Sequence, residues 1–231
     1  MGILADGLAI LLGGLLGEKL KKKTLARDYS ILAICIMLVS LVGFLENIYN
    51  VKGEKIISEN LITVLFAFLV GSKIGEKTRL EARLGGLNRS TNQAFHGFLD
   101  AVLFFGIGGL QISGPILWVS SQDNSQLFIK SCIDFPFAVA YGAAYGKSVS
   151  LAALPVALMQ LGVALIAYVF SSFFSREVIA QLCAIGYMIL FFSGFNLMPG
   201  SKNKINNINM LPGILMVVLF HFVVNGLERI I

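Results

Sequence analysis

Five charged side chains lie inside segments that are otherwise apolar, and these residues are the best placed to do chemistry in a membrane. They are Asp6, Lys73, Asp100, Lys130 and Asp134. A charge at bilayer depth costs roughly 2.5 to 3.5 kcal/mol on insertion scales, so such a residue usually faces a partner, a cavity or a permeating solute. These five positions are therefore where a function should be sought.

Lys130 precedes Asp134 by four residues, which places the two side chains on one face of a helix. A salt bridge within the helix would lower the cost of burying both charges. Two interpretations stay open: a structural ion pair, or a pair that exchanges partners with a solute or a proton. Pro136 removes an amide beside Asp134, and this predicts a break in the helix there.

The apolar segment 95–119 contains several residues that disfavour a regular helix: Gly106, Gly108, Gly109, Gly114 and Pro115. In a helix interior Gly costs about 1 kcal/mol and Pro about 3 kcal/mol relative to Ala, so the segment is predicted to be broken. Discontinuous helices in transporters expose carbonyls and amides that coordinate ions or anionic groups. Gln111 and Ser113 would add side-chain oxygens at the break. A helix that is only kinked, or that ends near Gln111, stays the alternative.

The composition is that of an integral membrane protein. Apolar residues make up 56% of the 231 residues and charged residues 13%, and the mean hydropathy is +0.81. A soluble domain could not cover its surface with so few polar groups. The net charge of +5 does not indicate nucleic acid, because the basic residues cluster in short loops beside apolar segments. The three cysteines have neither paired spacing nor a neighbouring histidine, so neither a metal site nor a disulfide is predicted.

Eight apolar segments approach the roughly 20 residues that a helix needs to cross a bilayer. They run approximately over 2–18, 29–46, 60–76, 95–119, 127–146, 148–171, 178–197 and 209–227. Lipid offers the backbone no hydrogen-bond partners, so each segment is expected to be helical. The predicted fold is a single all-α transmembrane bundle over residues 1–231 with about eight spans. Seven spans stay open, because only Lys147 and Ser148 separate the fifth segment from the sixth.

Basic residues are unevenly distributed between alternate loops of this eight-span arrangement. Twelve lie on one side: Lys19, Lys21, Lys22, Lys23, Arg27, Lys77, Arg79, Arg83, Arg89, Lys147, Lys202 and Lys204. Four lie on the other: Lys52, Lys55, Arg176 and Arg229. Cytoplasmic loops are enriched in Lys and Arg, so the first set is predicted to be cytoplasmic and both termini to face outward. The expected location is the cell membrane.

The first and fifth segments share a pattern of one Asp followed by a glycine pair. These are Asp6 with Gly13-x-x-x-Gly17, and Asp134 with Gly142-x-x-x-Gly146. Transporters are often built from repeats whose interface carries the substrate site. A parallel tandem repeat of two four-helix halves, 1–125 and 126–231, would account for the pattern.

Glycine pairs also have a simpler explanation. Glycines four residues apart let two helices approach closely. The resulting packing favours association in lipid, where no hydrophobic effect drives helices together. The third segment ends with Gly71-x-x-x-Gly75 but carries no equivalent Asp, so a generic helix end stays an alternative to the repeat. The same glycine stripes make a homodimer an expectation.

These motifs, in this order, resemble the bacterial membrane family catalogued as domain of unknown function 554. The resemblance covers essentially the whole chain and rests on Asp6 to Gly17, Phe95-x-Gly97-Phe98, Gly106 to Gly114, Lys130-Ser-x-x-Asp134 and Gly142-x-x-x-Gly146. It implies a small prokaryotic inner-membrane protein of a kind often labelled a transporter, without an assigned substrate. In the family pattern a Gly often follows the Asp where this chain has Phe135 and Pro136, so the local backbone is expected to differ there.

The favoured function is a secondary transporter, because this class explains the buried charges, the broken helix and the repeat together. The predicted polar site consists of Asp134, Lys130, Asp6, Gln111, Ser113 and Asp100. Carboxylates and freed carbonyls suit hard cations, so a small cation or a proton-coupled solute is the expected cargo. An ion channel and a non-transporting assembly factor stay as alternatives. Gly-x-Ser-x-Gly and HExxH motifs are absent, so no catalytic residue, cofactor or bound metal is predicted.

Overall fold

The computed structural model describes residues 1–20, 28–52, 55–58, 60–80, 82, 93–106, 109–171, 174–198 and 205–228. Nine α-helices lie within these residues: α1 (Gly2–Lys19), α2 (Asp28–Ile48), α3 (Leu61–Lys77), α4 (Gln93–Gly106), α5 (Gly109–Ser121), α6 (Ser125–Tyr145), α7 (Ala153–Val169), α8 (Arg176–Leu197) and α9 (Pro212–Glu228). A short antiparallel hairpin of β1 (Asn50–Lys52) and β2 (Lys55–Ile57) lies between α2 and α3. Two 3-10 helices, Lys147–Ala152 and Asn207–Met210, precede α7 and α9.

The all-α class is confirmed, because the apolar segments form helices. Within the described residues, three helical stretches are long and apolar enough to cross a membrane: Ser125–Tyr145, Lys147–Val169 and Arg176–Asn196. The bent pair α4 and α5 would supply a fourth span if it crosses as one broken helix. A count of eight spans, the tandem repeat and the orientation of the termini therefore remain predictions.

The fourth apolar segment is broken, but upstream of its Gly-Pro pair. α4 ends at Gly106 and α5 begins at Gly109, and the two helices are bent by 51°. Gly114 and Pro115 lie inside α5, so the expectation that these two residues break the helix is wrong. The hydrogen bond that Pro115 removes falls within the first two turns of α5, beside the existing break, where its loss is easily accommodated. Gly108 lies outside the described residues.

Pro136 does not break its helix either, since α6 runs without interruption from Ser125 to Tyr145. A proline leaves the carbonyl four residues earlier without its usual donor, here that of Cys132. Membrane helices tolerate such a proline when neighbouring helices and small shifts of the backbone accommodate it. The local consequence is one free carbonyl rather than a helix end.

α6 ends at Gly146, where the chain turns sharply. Gly146 has φ +82° and ψ −166°, a conformation that residues with a Cβ rarely adopt. A Cβ added there would meet no atom of the described residues within 4 Å, so within the described part of the chain Gly146 serves the turn and makes no close helix contact. The turn separates α6 from the following 3-10 helix and α7, which makes the fifth and sixth apolar segments distinct helices.

The helices form two compact units, and each unit draws on both predicted halves of the chain. Unit 1 consists of Met1–Ile31 and Gly85–Ser171, and unit 2 consists of Leu32–Leu84 and Ser172–Ile231. Unit 1 therefore contains α1 and α4 to α7, and it carries most of the predicted polar site. Unit 2 contains most of α2 together with α3, α8 and α9.

Glycines bring helix backbones into contact within each unit. In unit 1, α1 packs along α6 so closely that a Cβ on Gly13 would lie 2.6 Å from the carbonyl oxygen of Phe135. A Cβ on Gly17 would overlap the carbonyl of Val139 in the same way. Further contacts of this kind are Gly142 with Gly14 in unit 1 and, in unit 2, Gly71 with Gly213 and Gly75 with Asn209. The seam between α1 and α6 positions the site described next.

Candidate functional site

The centre of the site is one lysine shared by two aspartates. The Nζ atom of Lys130 donates a hydrogen bond to Oδ2 of Asp6 at 2.8 Å, and another to Oδ2 of Asp134. Lys130 and Asp134 lie one turn apart on α6, whereas Asp6 comes from α1. The structure thus brings together the two aspartates and the lysine that the sequence suggested as a site.

Two glutamines extend this arrangement to two further helices. Gln160 of α7 donates from Nε2 to Oδ2 of Asp6 at 2.7 Å and to Oε1 of Gln111 at 3.0 Å. Gln111 of α5 donates in turn to the carbonyl oxygen of Val156 at 2.9 Å. Four helices of unit 1 are therefore joined by one chain of hydrogen bonds. We call the side chains of Asp6, Gln111, Lys130, Asp134 and Gln160 the buried network.

Every member of the buried network is shielded from solvent. The exposed fraction is 0% for Asp6 and Gln160, 1% for Gln111, 4% for Lys130 and 5% for Asp134. These charges are therefore largely removed from hydration, and their mutual attraction must offset most of their desolvation. Two carboxylates face one ammonium group, so the ionised network carries an excess of one negative charge.

The local sequence explains how Asp6 reaches Lys130. The buried face of α1 consists of Gly2, Ile3, Asp6, Ile10, Gly13, Gly14 and Gly17, which recur at the three- and four-residue spacing of one helix face. Small residues on this face let α1 lie directly on α6. Asp6 is the one charged residue of the face, so close packing of the two helices carries its carboxylate to Lys130.

The half-helix α5 presents its N-terminal end to the network. Gln111 is the third residue of α5, in the turn whose backbone amides have no partner within the helix. These free amides form the positive end of the helix dipole. Pro115 carries no amide hydrogen, so the carbonyl of Gln111 also lacks its ordinary donor. The end of a discontinuous helix thus lies beside a group of net negative charge.

Aromatic side chains follow Asp134 along α6. The ring of Phe137 lies 4.7 Å from that of Phe104 on α4, and Phe104 lies 5.3 Å from both Phe105 and Tyr141. Phe105 and Phe137 are each only 1% exposed. The network is therefore followed along α6 by tightly packed apolar rings.

The other predicted site residues lie elsewhere. Ser113 is buried and donates to Oε1 of Gln126 at 2.7 Å, a separate contact between α5 and α6. Asp100 belongs to α4, but its side chain lies outside the described part of the structure. Lys73 is 80% exposed and pairs with Glu76 at 3.0 Å, as expected for a charge near a helix end. In the described residues no group of three or more His, Cys, Asp or Glu is arranged to hold a metal ion.

Sequence reasoning missed the role of Gln160. The structure makes this residue the link between Asp6 and Gln111. A single amide inside the apolar stretch 153–169 was the available signal. That signal does not identify the partner of Gln160, because Asp6 lies 154 residues away along the chain.

A bundle of apolar helices with a buried charged network is the architecture of a multi-helix membrane protein. The chain belongs to the family described as "Protein of unknown function (DUF554)", which matches residues 1–222. It is similar to the "Uncharacterized membrane protein YdfK" of Bacillus subtilis (strain 168), with 27% identity over 71% of this chain and 72% of that protein. It is also similar to the "Uncharacterized protein YqgA" of Escherichia coli (strain K12), with 26% identity over 94% of each chain. No solved structure matches the chain significantly.

Proposed function

We propose that the protein is a secondary transporter of a small solute or ion, driven by a proton or a cation that binds in the buried network. The observation that carries this proposal is the charge of the network, in which two carboxylates share one ammonium group inside a set of helices. Its excess negative charge requires a compensating proton or cation. A buried group that gains and loses such a charge is what a coupled transporter needs.

A purely structural role explains the network less well. Replacing a buried ion pair with packed apolar residues of similar volume is often neutral or stabilising. A structural pair would also need only one carboxylate for Lys130, whereas the protein buries both Asp6 and Asp134 against it. The second carboxylate is the part of the network that calls for a functional explanation.

The broken helix supports the same proposal. The first turn of α5 reaches Asp6 through the bridge from Gln111 to Gln160. Transporters commonly place such half-helix ends at their ion and substrate sites. A movement of α5 at the break would alter the hydrogen bonds of Gln160, and through them those of Asp6.

The two carboxylates differ in exposure. The side chain of Asp134 is 8% exposed, whereas that of Asp6 is fully buried. In the proposed cycle a proton or cation enters past Asp134 and binds in the network, where it cancels the excess negative charge. Lys130 then pairs mainly with the carboxylate that stays ionised, and release of the proton or cation restores the shared arrangement. Movement of α5 would be linked to this exchange.

Flux measurements in proteoliposomes test the proposal. Wild-type protein is reconstituted with an internal pH-sensitive dye, and gradients of a panel of ions and small metabolites are applied in turn. We expect at least one gradient to drive proton movement or to be driven by it, and Asp134→Asn to abolish that coupling while remaining folded. Lys73→Gln is the matched control, because Lys73 is an exposed charge near a helix end and its loss should leave flux unchanged.

Two results would count against the proposal. A folded Asp134→Asn variant that transports at the wild-type rate would rule out the network as the coupling site. A wild-type protein that moves none of the panel would instead favour the assembly factor, whose charges act only in packing. An ion channel would reveal itself by flux that runs down each gradient without coupling.

A further inference from the structure

Two oxygen atoms of the buried network have no hydrogen-bond donor in the part of the chain that the structure describes. They are Oδ1 of Asp6 and Oε1 of Gln160, and both side chains are 0% exposed. A buried acceptor left without a donor costs about 1 to 3 kcal/mol, and more when it is charged. Turning the Gln160 amide over does not remedy this, because Oδ2 of Asp6 can only accept and so requires Nε2 opposite it. The two oxygens therefore lack donors because the network holds too few protons, and not because of the orientation of the amide.

One proton would satisfy both oxygens. A carboxylic acid and a primary amide pair through two hydrogen bonds, from the amide nitrogen to one acid oxygen and from the acid hydroxyl to the amide oxygen. The first of these bonds is present, from Nε2 of Gln160 to Oδ2 of Asp6 at 2.7 Å. A proton on Oδ1 of Asp6 would supply the second by donating to Oε1 of Gln160. The same proton would cancel the excess negative charge of the network.

We propose that Asp6 binds the coupling proton as an acid–amide pair with Gln160. As a coupling site this inference rests on the proposed transport function, whereas the existence of the proton can be tested separately. Among the described side chains, the charged groups that face Asp6 are Lys130 and Asp134 of α6, and the residue that α7 presents, Gln160, is neutral. With Asp6 protonated, Lys130 balances Asp134 and the network is neutral. When the proton leaves to water, both carboxylates share Lys130.

A metal cation fits the same place less well. Ca²⁺ takes six to eight oxygen ligands, and Mg²⁺ requires a nearly ideal octahedron. Among the described residues, the buried side-chain oxygens without a partner are Asp6 Oδ1, Ser72 Oγ, Gln160 Oε1 and Gln181 Oε1. Two of these belong to the network, and the other two belong to unit 2. Two free side-chain oxygens are enough for one shared proton and fewer than the ligands that a cation stripped of water needs.

Unit 2 offers a matched control for Gln160. Gln181 is also buried between helices and donates from Nε2 to Oδ1 of Asn60 at 2.9 Å, and its Oε1 likewise lacks a donor. Its partner is an amide rather than a carboxylate. Removal of Gln181 therefore perturbs helix packing to a similar degree without touching an acid–amide pair.

Infrared difference spectroscopy of the purified full-length protein tests the proposal, because a protonated carboxyl has a carbonyl stretch well separated from that of a carboxylate. We expect a buried acid band in the wild type near neutral pH and its loss in Asp6→Asn. The asparagine should keep the fold, since it accepts from Gln160 Nε2 and can donate its own amide to Oε1. Gln160→Leu should shift the band to higher frequency, because the acid loses its acceptor, whereas Gln181→Leu should leave it in place.

Three results would overturn the assignment. They are a wild type without an acid band, a band that Asp6→Asn leaves unchanged, and a band that Asp6→Asn removes but Gln160→Leu does not move. The last result would place the proton between the two carboxylates. Displacement of the band by Na⁺ at fixed pH would indicate a cation site instead. An acid band in a protein that shows no flux would support the proton site and contradict the transport function. Flux in a protein without the band would support the transport function and contradict the proton site.

Discussion

Replacement of Lys130 by methionine should destabilise the protein strongly, and further substitutions at the aspartates should correct the loss. Methionine keeps the length of the side chain but removes the ammonium group that both aspartates contact. The two remaining carboxylates, whose side chains are 0% and 8% exposed, are then left without their cation. Removing one partner of a buried ion pair costs about 3 to 5 kcal/mol. The upper part of that range is expected at a pH at which both carboxylates are ionised, because Lys130 then serves two of them.

Charge-balancing substitutions should recover this loss in steps. The ionised network carries one excess negative charge in the wild type, two in Lys130→Met, one in Lys130→Met with Asp6→Asn, and none when Asp134→Asn is added. A typical domain is stable by about 5 to 15 kcal/mol, so the single variant loses a large share of its stability. The double and triple variants should regain it progressively, since neutral amides need no counter-charge.

The assay is reversible unfolding in detergent at a pH above that at which the acid band of Asp6 is lost, followed by fluorescence of Trp118, the single tryptophan of the chain. Trp118 lies on α5, in the same compact unit as the network. Lys73→Met is the control, because the exposed pair of Lys73 with Glu76 should contribute little. If Lys130→Met were as stable as the wild type, or if the triple variant were no more stable than the single one, the charge-balance reasoning would be refuted.

Three further predictions concern stability and are checked by thermal unfolding in detergent. Gly146→Ala should cost about 1 to 3 kcal/mol, because φ +82° with ψ −166° suits glycine almost exclusively; an unchanged midpoint would contradict this. Gly75→Ala should cost about 1 to 3 kcal/mol, since its Cβ would overlap the backbone of Asn209, whereas Gly162→Ala, with open space around it, should gain about 0.5 to 1 kcal/mol. Lys73→Gln should change stability by less than about 1 kcal/mol, and a larger loss would show that its exposed ion pair matters more than expected.

The helices could be predicted from the sequence because lipid leaves an apolar segment few other choices. The break in the fourth segment was also predictable, because several glycines weaken one stretch of helix. Two of the predicted residues, Gly106 and Gly109, flank the observed break. The continuation of the helix through Pro115 was not predictable, because the cost of Pro115 depends on whether its neighbourhood can absorb one lost hydrogen bond. Pro136 shows this clearly: α6 continues through it while packed along its length against α1.

The candidate site was predictable only in its local part. Lys130 and Asp134 are one helical turn apart, so their contact follows from spacing alone. Asp6 is 124 residues from Lys130 along the chain, and the shared Asp and glycine pattern suggested that it mattered without saying what it touches. A glycine stripe predicts that a helix packs closely, but it does not identify the partner helix. The role of Gln160 could not be predicted for the same reason, since its position in the sequence does not identify the residues that it contacts.

The packing of α1 and the electrostatics of the site are coupled, and Gly13→Ala tests that coupling. A Cβ on Gly13 would lie 2.6 Å from the carbonyl oxygen of Phe135, the residue next to Asp134. Because backbone atoms cannot rotate away, α1 must move off α6 by several tenths of an ångström or more, which lengthens the 2.8 Å bond between Lys130 and Asp6. We expect the infrared acid band to shift and coupled flux to fall while the protein stays folded. Gly7→Ala on the same helix meets only the Cβ of Ala157 at 3.9 Å and should change neither. Equal behaviour of the two variants would show that the seam between α1 and α6 does not set the geometry of the charges.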